Sequence, residues 1–295
     1  MATLYTHQSE NVAKTWVLMA VFLAVVVAIG AAISYYYNNA TILYVAFGFA
    51  VLTNVWAYWN SDKVVISMSG AKPATDAQYP ELNNVVENLA ITAGLPKPKV
   101  YIIEDPAPNA FATGRSPEHA AVAVTTGLLN MMNKSELEGV LAHELSHVGN
   151  RDMLVSTVAV VLVGFVSLAS NIFLHSSMGR SNDREGRGNP ILMILSIALI
   201  VLAPIFATLL QLAISRKREF LADASGALLT RYPEGLASAL RKIGSYTAPM
   251  IKTNSAIAHL YISNPFGAQA ARSFVTRLFS THPPVEERIK ALVGN

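Results

Sequence analysis

Four long apolar runs divide the chain into membrane-like and water-exposed stretches. The runs cover residues 16–34, 41–59, 153–173 and 191–214, and none of them contains a charged side chain. About 20 apolar residues cross a bilayer as a helix, so each run predicts a transmembrane helix. Two alternatives stay open: a cleaved signal peptide for the first run, and a buried core hairpin for the last two.

The remaining stretches show the shorter periods of a folded, water-exposed region. Apolar positions from 82 to 93 recur at helical spacing and stop at Gly94, which predicts an amphipathic helix with a glycine cap. Residues 99–104 and 119–126 predict two strands, and residues 233–245 and 284–292 predict two more helices.

A metal-binding pattern lies in one of these predicted helices. His143, Glu144 and His147 form an HEXXH motif. Ser135 and Glu138 predict a capping box, so we expect the helix to start near residue 136. One helical turn separates the two histidines, which lets both reach one zinc ion at about 2.0–2.1 Å. The carboxylate of Glu144 then lies where it can take a proton from an attacking water molecule.

A zinc enzyme of this type needs a third protein ligand. Glu219, beyond the fourth apolar run, is our candidate, and Asp223 lies one helical turn after it. One carboxylate can bind the metal, while the other can accept the free N–H of a ligand histidine and fix its orientation. The alternative is that Glu219 only pairs with the basic residues 216–218 at a helix end.

These elements predict the fold class and the domains. We expect a mainly α membrane protein of α+β type, in which four transmembrane helices carry a cytosolic zincin-like catalytic domain with a small β-sheet. Residues 1–60 form a transmembrane hairpin, 61–152 a catalytic region with the HEXXH helix, 153–214 a second hairpin, and 215–295 a region with the third ligand. In this arrangement the second hairpin brings the distant ligands together, with their helices as extensions of the spans.

Charge and composition narrow the partners and the orientation. The chain is 52% hydrophobic and only 14% charged, and its net charge of +3 does not favour nucleic acid. Cysteine is absent, which excludes disulfides and thiolate metal sites. Basic residues near the spans are more frequent on the side of the HEXXH motif, which predicts that this side faces the cytoplasm. These residues are Lys14, Lys63, Arg151, Arg216, Lys217 and Arg218, against Arg180, Arg184 and Arg187.

The motifs together resemble those of the HtpX-type membrane metalloproteases, which are relatives of the CAAX prenyl proteases. The most specific matches are HELSH at 143–147 and EFLAD at 219–223, and weaker ones are PNAFATG at 108–114, AVAVTTGL at 121–128 and THPP at 281–284. The resemblance implies one zinc ion per chain, held by His143, His147 and Glu219. It also implies Glu144 as general base and Asp223 as the partner of a ligand.

The weaker motifs imply a substrate site. In metalloproteases that this chain resembles, the substrate adds a strand to the edge of a small sheet beside the zinc helix. Here that edge would come from the segment 109–114 followed by the strand at 119–126, with Asn109, Phe111, Val122 and Val124 as candidate binding residues. Ordinary core positions for the valines and a turn position for Asn109 stay open as alternatives.

The resemblance also places two residues near the C-terminus at the site. His282 and Arg288 are expected to stabilise the oxyanion of the tetrahedral intermediate, and His282 is our second candidate for a catalytic group. The alternative for His282 is a cap on the helix that follows it.

We therefore expect a zinc endopeptidase in a bacterial cytoplasmic membrane that degrades misfolded membrane proteins. Its partners would be unfolded or membrane protein substrates and the lipid bilayer. Alternatives are a CAAX-type prenyl protease and a non-catalytic zinc-binding scaffold or sensor, and the presence of Glu144 speaks against the latter. A transporter is disfavoured because the four runs contain no ionisable residue.

Overall fold

The computed structural model describes residues 4–162, 164, 216–252, 254, 256–267 and 283–294. Our predictions for the end of the third apolar run, the loop at 176–190, the fourth run and His282 concern residues outside these ranges.

The described part is mainly helical with one small sheet, which confirms the α+β class. The helices are α1 (Leu4–Tyr37), α2 (Thr41–Ser69), α3 (Pro80–Ala93), α4 (Thr126–Met131), α5 (Lys134–Gly149), α6 (Asp152–Leu162), α7 (Arg216–Thr230), α8 (Pro233–Ser245) and α9 (Val285–Val293). The strands are β1 (Lys72–Pro73), β2 (Lys99–Ile103), β3 (Ala110–Gly114) and β4 (Ala120–Thr125). Short 3₁₀ turns lie at Pro117–His119 and Ala258–Leu260.

The sheet has the order β1-β2-β4-β3, so β3 is an edge strand and β4 lies inside the sheet. β2 runs parallel to β4, whereas β3 pairs with β4 as an antiparallel hairpin. Gly114 ends β3 at the turn of this hairpin. Its φ of 141° suits glycine, and a Cβ at this position would clash with the main chain of His119 and Ala120. The predicted edge at 109–114 is therefore confirmed.

The HEXXH helix α5 is the centre of the main hydrophobic core. Val140, Leu141 and Leu145 are at most 1% exposed and share one cluster with Val122 and Val124 of β4. Apolar side chains of α3 and α8 complete this cluster. The helix that carries the metal-binding motif is thus packed against the sheet and against neighbouring helices.

The start of α5 differs from our prediction. The helix begins at Lys134, and the capping box is formed by Asn133 and Glu136 rather than by Ser135 and Glu138. The hydroxyl of Ser135 only donates to the side chain of Asn133. The actual cap is favoured because Glu136 also accepts from Lys242 and Ser238 of α8, which gives its buried carboxylate further partners.

Among the residues that the structure describes, two helices are long and apolar enough to cross a membrane, judged by length and composition. They cover Gln8–Tyr37 and Thr41–Ser69 and expose many large apolar side chains. α2 continues ten residues past residue 59, so the predicted domain boundary at residue 60 falls inside a helix. The aromatic residues among 56–59 therefore lie along this helix and not at its end. Trp16 of α1 stacks on Tyr58 of α2, with their ring centroids 6.3 Å apart.

The third apolar run begins as α6, which is separate from α5. Arg151 adopts a left-handed conformation with φ 58°, and this residue breaks the helix between Gly149 and Asp152. The HEXXH helix is therefore not a straight extension of this run, contrary to our expectation. α6 is buried against α1, where Leu154 and Val158 share a cluster with Leu18 and Phe22.

Candidate metal centre

The two histidines of the HEXXH motif point to the same place. His143 is fully buried, and the side chain of His147 is 15% exposed. Their Nε2 atoms are 3.2 Å apart, and their rings are nearly perpendicular at 89°. Two ring nitrogens that converge in this way are suited to bind one cation between them.

Glu219 completes the cluster from α7. Its Oε2 lies 3.7 Å from Nε2 of His143, and its Oε1 lies 3.5 Å from Nε2 of His147. One ligand atom from each of the three residues lies within 4.8 Å of the others. Ligands at about 2.0–2.1 Å from a tetrahedral zinc ion are about 3.3 Å apart from each other, so the three side chains fit this ion with little movement.

A glycine lets the two ligand-bearing helices approach each other. Gly226 of α7 lies so close to α5 that an added Cβ would be 2.9 Å from the backbone nitrogen of His143. Glu219, Asp223 and Gly226 are spaced four and three residues apart, so they share one helix face. This face packs on α5 directly beside its first ligand, and we did not identify Gly226 from the sequence.

His143 is held from behind by a buried ion pair. Its Nδ1 lies 2.9 Å from Oδ1 of Asp223. Arg288 of α9 donates two hydrogen bonds to the same carboxylate at 2.6 and 2.8 Å. The Nη2 atom of Arg288 is also 3.4 Å from both ring nitrogens of His143. Arg288 is thus close to the cluster, as expected, and its role on an oxyanion stays a prediction.

His147 has a carboxylate partner that sequence reasoning missed. Its Nδ1 lies 3.1 Å from Oδ2 of Asp152, five residues later in the chain. The left-handed conformation at Arg151 turns the chain back so that Asp152 faces His147 instead of following the helix. A carboxylate behind each ligand histidine fixes the tautomer that presents Nε2 to a metal.

The surroundings shift the pKa values of these groups. Burial alone would lower the pKa of His147, but the carboxylates of Glu219, Asp152 and Glu144 raise it to about 9 in the metal-free protein. Burial would raise the pKa of Asp223, yet its hydrogen bonds from Arg288 and His143 hold it far below the usual value. Asp223 therefore stays ionised and can accept the hydrogen bond of His143.

Glu144 follows the first ligand directly and is 2% exposed. Its charge acts on His147, which places the carboxylate close to the cluster. A buried carboxylate beside a metal-binding triad is suited to move a proton.

The four candidate substrate-binding residues lie in the interior. Val122 and Val124 are fully buried in the core, and Phe111 packs edge-on against Tyr261. The side chain of Asn109 holds the segment that follows the 3₁₀ turn at Ala258–Leu260, since it donates to the carbonyl of Ser263 at 2.9 Å. Phe111 belongs to the edge strand β3 and the two valines belong to its inner neighbour β4, so any part in substrate binding would involve the main chain of β3.

Comparison with known proteins identifies the class of this site. The profile of peptidase family M48 matches residues 76–295, which include the whole cluster. The chain belongs to peptidase family M48. Members of this family are zinc-dependent metallopeptidases, which agrees with the geometry of the two histidines and Glu219.

Full-length relatives support the M48 assignment. A "Protease HtpX homolog" of Thermoanaerobacter pseudethanolicus is 49% identical, and the alignment covers 98% of this chain and 97% of the relative. One from Tropheryma whipplei is 45% identical over 99% of both chains. The crystal structure of Ste24p from S. mikatae has a similar fold, with a TM-score of 0.52 at 19% identity, and the match covers 98% of this chain and 67% of Ste24p.

Proposed function

We propose that this M48 peptidase is a membrane-embedded zinc endopeptidase whose metal is held by His143, His147 and Glu219. The observation that carries the proposal is the convergence of three ligand atoms from α5 and α7, at the spacing that tetrahedral zinc requires. These three residues would hold one zinc ion per chain.

The residues around the metal divide the chemistry between them. When bound by these residues, zinc would supply Lewis acidity for the attack of water on the scissile carbonyl. Glu144 takes the proton as the water attacks, and then passes it to the leaving amine. Asp223 and Asp152 hold the two histidines in orientation throughout. By resemblance, Arg288 and His282 would stabilise the negative charge on the substrate oxygen.

The substrate is proposed to add to the outer edge of β3. The pairing of β3 with β4 leaves the main chains of Ala110, Ala112 and Gly114 directed away from β4. Ile262 bonds to the carbonyl of Ala110, and Thr157 bonds to the N–H of Gly114, so the proposed pairing would be centred on Ala112. Pairing through the main chain recognises an extended backbone more than a particular sequence, which suits unfolded protein as the substrate.

The membrane is proposed to surround α1 and α2. Trp56 and Trp59 are about half exposed, like many apolar side chains along both helices, and lipid would cover this surface. Arg115 at the β3–β4 turn stacks on the ring of Trp59, 4.6 Å from its centroid. The catalytic region would thus lie against the bilayer surface on the cytoplasmic side. A bacterial inner-membrane enzyme of this kind would remove misfolded membrane proteins.

The proposal is tested by comparing wild type with Glu144→Gln, both purified in detergent, stripped with a chelator and supplied with zinc. Wild type is expected to cleave an unfolded protein such as casein only with zinc. The variant should bind one zinc ion per chain without cleavage, because Gln keeps the size of Glu but cannot take the proton. Cleavage by Glu144→Gln at the wild-type rate would contradict the role of the base, and zinc-independent cleavage would contradict the metal centre.

A further inference from the structure

One side chain of the first helix reaches the metal centre. Asn11 lies in the polar first part of α1, and its side chain is buried, with the residue only 2% exposed. Its side chain is separated from its partners by 139 to 207 residues of sequence. A buried amide needs such partners, because leaving its polar atoms unsatisfied costs about 1–3 kcal/mol.

The amide of Asn11 is fully used. Its Nδ2 donates to Oδ1 of Asp152 at 2.7 Å and to the carbonyl of Asn150 at 3.1 Å. Its Oδ1 accepts from Nη1 of Arg218 at 3.1 Å. The neighbouring Gln8 donates to the carbonyl of Gly149 at 2.7 Å, so α1 also supplies partners for carbonyls at the end of α5.

These partners are the residues that support two of the three candidate ligands. Asp152 holds Nδ1 of His147 with its other oxygen, Oδ2. Arg218 directly precedes Glu219 in α7. One amide therefore joins the end of the HEXXH helix to the start of the helix that carries the third ligand.

We propose that Asn11 is a positioning residue of the metal centre. It acts through Asp152 on His147 and through Arg218 on Glu219, and it thereby makes the geometry of the zinc site depend on the first helix. This inference rests on the proposed zinc site.

Only an amide satisfies both sides of this contact. A carboxylate at position 11 would replace the Nδ2 donor, which lies 2.7 Å from Oδ1 of Asp152, with a negatively charged oxygen. The two carboxylates would then repel each other. A leucine would fill the same space but leave Asp152 and Arg218 each without one hydrogen bond. Both changes free Asp152 to move, and His147 would lose its fixed orientation.

The test measures zinc affinity by competition with a chromophoric chelator, together with kcat and KM for casein, on full-length protein in detergent. Asn11→Leu and Asn11→Asp are expected to bind zinc about 10–100-fold more weakly, as is typical when a partner of a ligand is lost. At saturating zinc, kcat should fall while KM stays near the wild-type value, because Asn11 is not proposed to touch substrate.

The matched control is Asn54→Ala. Asn54 is also a buried asparagine of the first two helices, and it donates to the carbonyl of Met19 at 3.1 Å, but its recorded contact lies away from the metal cluster. Its replacement removes a hydrogen bond between α2 and α1 and should leave zinc affinity unchanged. Equal losses in Asn54→Ala and Asn11→Leu would overturn the proposal, since helix packing alone would then explain the effect.

A charge swap tests whether orientation rather than folding is affected. Asn11→Asp combined with Asp152→Asn restores one amide and one carboxylate, and the amide introduced at position 152 can still accept from His147 with its oxygen. The double variant is expected to regain at least part of the zinc affinity lost in Asn11→Asp. No recovery in a folded double variant, or wild-type zinc affinity and kcat in Asn11→Leu, would refute the positioning role. Wild type is measured in parallel, so failure of the zinc site itself would be seen there.

Discussion

The two histidines of the metal cluster are supported in different surroundings. His143 lies in the interior, where Asp223 and Arg288 form a buried ion pair behind it. His147 lies closer to solvent, and its partner Asp152 is held by Asn11 of the first helix and lies 3.7 Å from Nε of Arg218 in α7. We call these the inner side and the outer side of the site. On the inner side, loss of ligand support and loss of core stability should therefore occur together, whereas on the outer side they should be largely separate.

The largest effect is expected from Asp223→Ala on the inner side. The change leaves the charge of Arg288 buried, since this side chain is 1% exposed and loses both hydrogen bonds to the carboxylate. Breaking a buried ion pair costs about 3–5 kcal/mol. Denaturant unfolding in detergent should show this loss, and zinc binding should weaken as well.

A double variant serves as the control for this prediction. Asp223→Leu with Arg288→Met removes both charges and should recover much of the stability, because apolar residues can replace a buried pair. Peptidase activity should stay low, since His143 has lost its partner. Wild-type stability of Asp223→Ala would contradict the structural role of the inner side.

Gly226→Ala tests the close approach of α7 to α5. The new methyl group would be 2.9 Å from the backbone nitrogen of His143, so the helices must separate. Overpacking of this kind costs about 1–3 kcal/mol, and Glu219 should move away from the histidines. Zinc titration and thermal unfolding would measure the two effects.

Gly244→Ala is the matched control on α8. Its added methyl group would contact Val285 at 3.4–3.7 Å, which is ordinary van der Waals contact, and alanine favours the helix by up to about 1 kcal/mol. We expect unchanged or slightly higher stability and unchanged zinc affinity. Equal behaviour of the two alanine variants would show that the approach at Gly226 is not critical.

Asp152→Ala tests the outer side. Zinc affinity should fall about 10–100-fold, because His147 loses the acceptor at its Nδ1. The free energy of unfolding should fall by about 1–3 kcal/mol, less than for Asp223→Ala, because Arg218 keeps a hydrogen bond to Asn11. If Asp152→Ala destabilised the protein more than Asp223→Ala, the distinction between the two sides would be wrong.

The smallest effect is expected from Glu136→Gln, at the far end of α5 from the cluster. Burial would raise the pKa of Glu136, but Lys242, Ser238 and the cap of the helix hold it below the usual 4.5. This pair therefore stabilises the fold above pH 4.5, and the contribution is lost as the pH falls through the lowered pKa. The side chain of Lys242 is 40% exposed, so the loss should be about 1 kcal/mol or less.

The pH dependence of unfolding checks this last prediction. Wild type should lose stability relative to Glu136→Gln only as the solution becomes more acidic than pH 4.5. Zinc affinity at neutral pH should be equal in the two proteins. A large change in zinc affinity would mean that the two ends of α5 are coupled. The start of α5 would then support the metal site in addition to its inner and outer sides.

Local spacing made the two pairs of motif residues predictable. His143 and His147 are four residues apart, as are Glu219 and Asp223, and helical geometry places each pair on one face. The edge position of β3 could also be predicted. The start of α5 was predicted two residues late, because two overlapping capping patterns exist and the contacts of Glu136 with α8 decide between them.

The outer side could not be predicted, because its contacts arise from packing between distant segments. Asp152 reaches His147 only through the left-handed conformation of Arg151, which is uncommon for a residue with a side chain. Asn11 lies 141 residues before Asp152. Gly226 did carry a signal, since it continues the spacing of Glu219 and Asp223, but only the proximity of α5 explains why glycine is needed there.

The most direct test of the account is a crystal structure of zinc-loaded Glu144→Gln with anomalous scattering measured at the zinc edge. We expect one zinc ion, bound by Nε2 of His143, Nε2 of His147 and the carboxylate of Glu219 at about 2.0–2.2 Å. Asp223 and Asp152 should remain on the Nδ1 atoms and outside the coordination sphere. An ion bound elsewhere, or one that takes Asp152 or Asp223 as a direct ligand in place of Glu219, would contradict it.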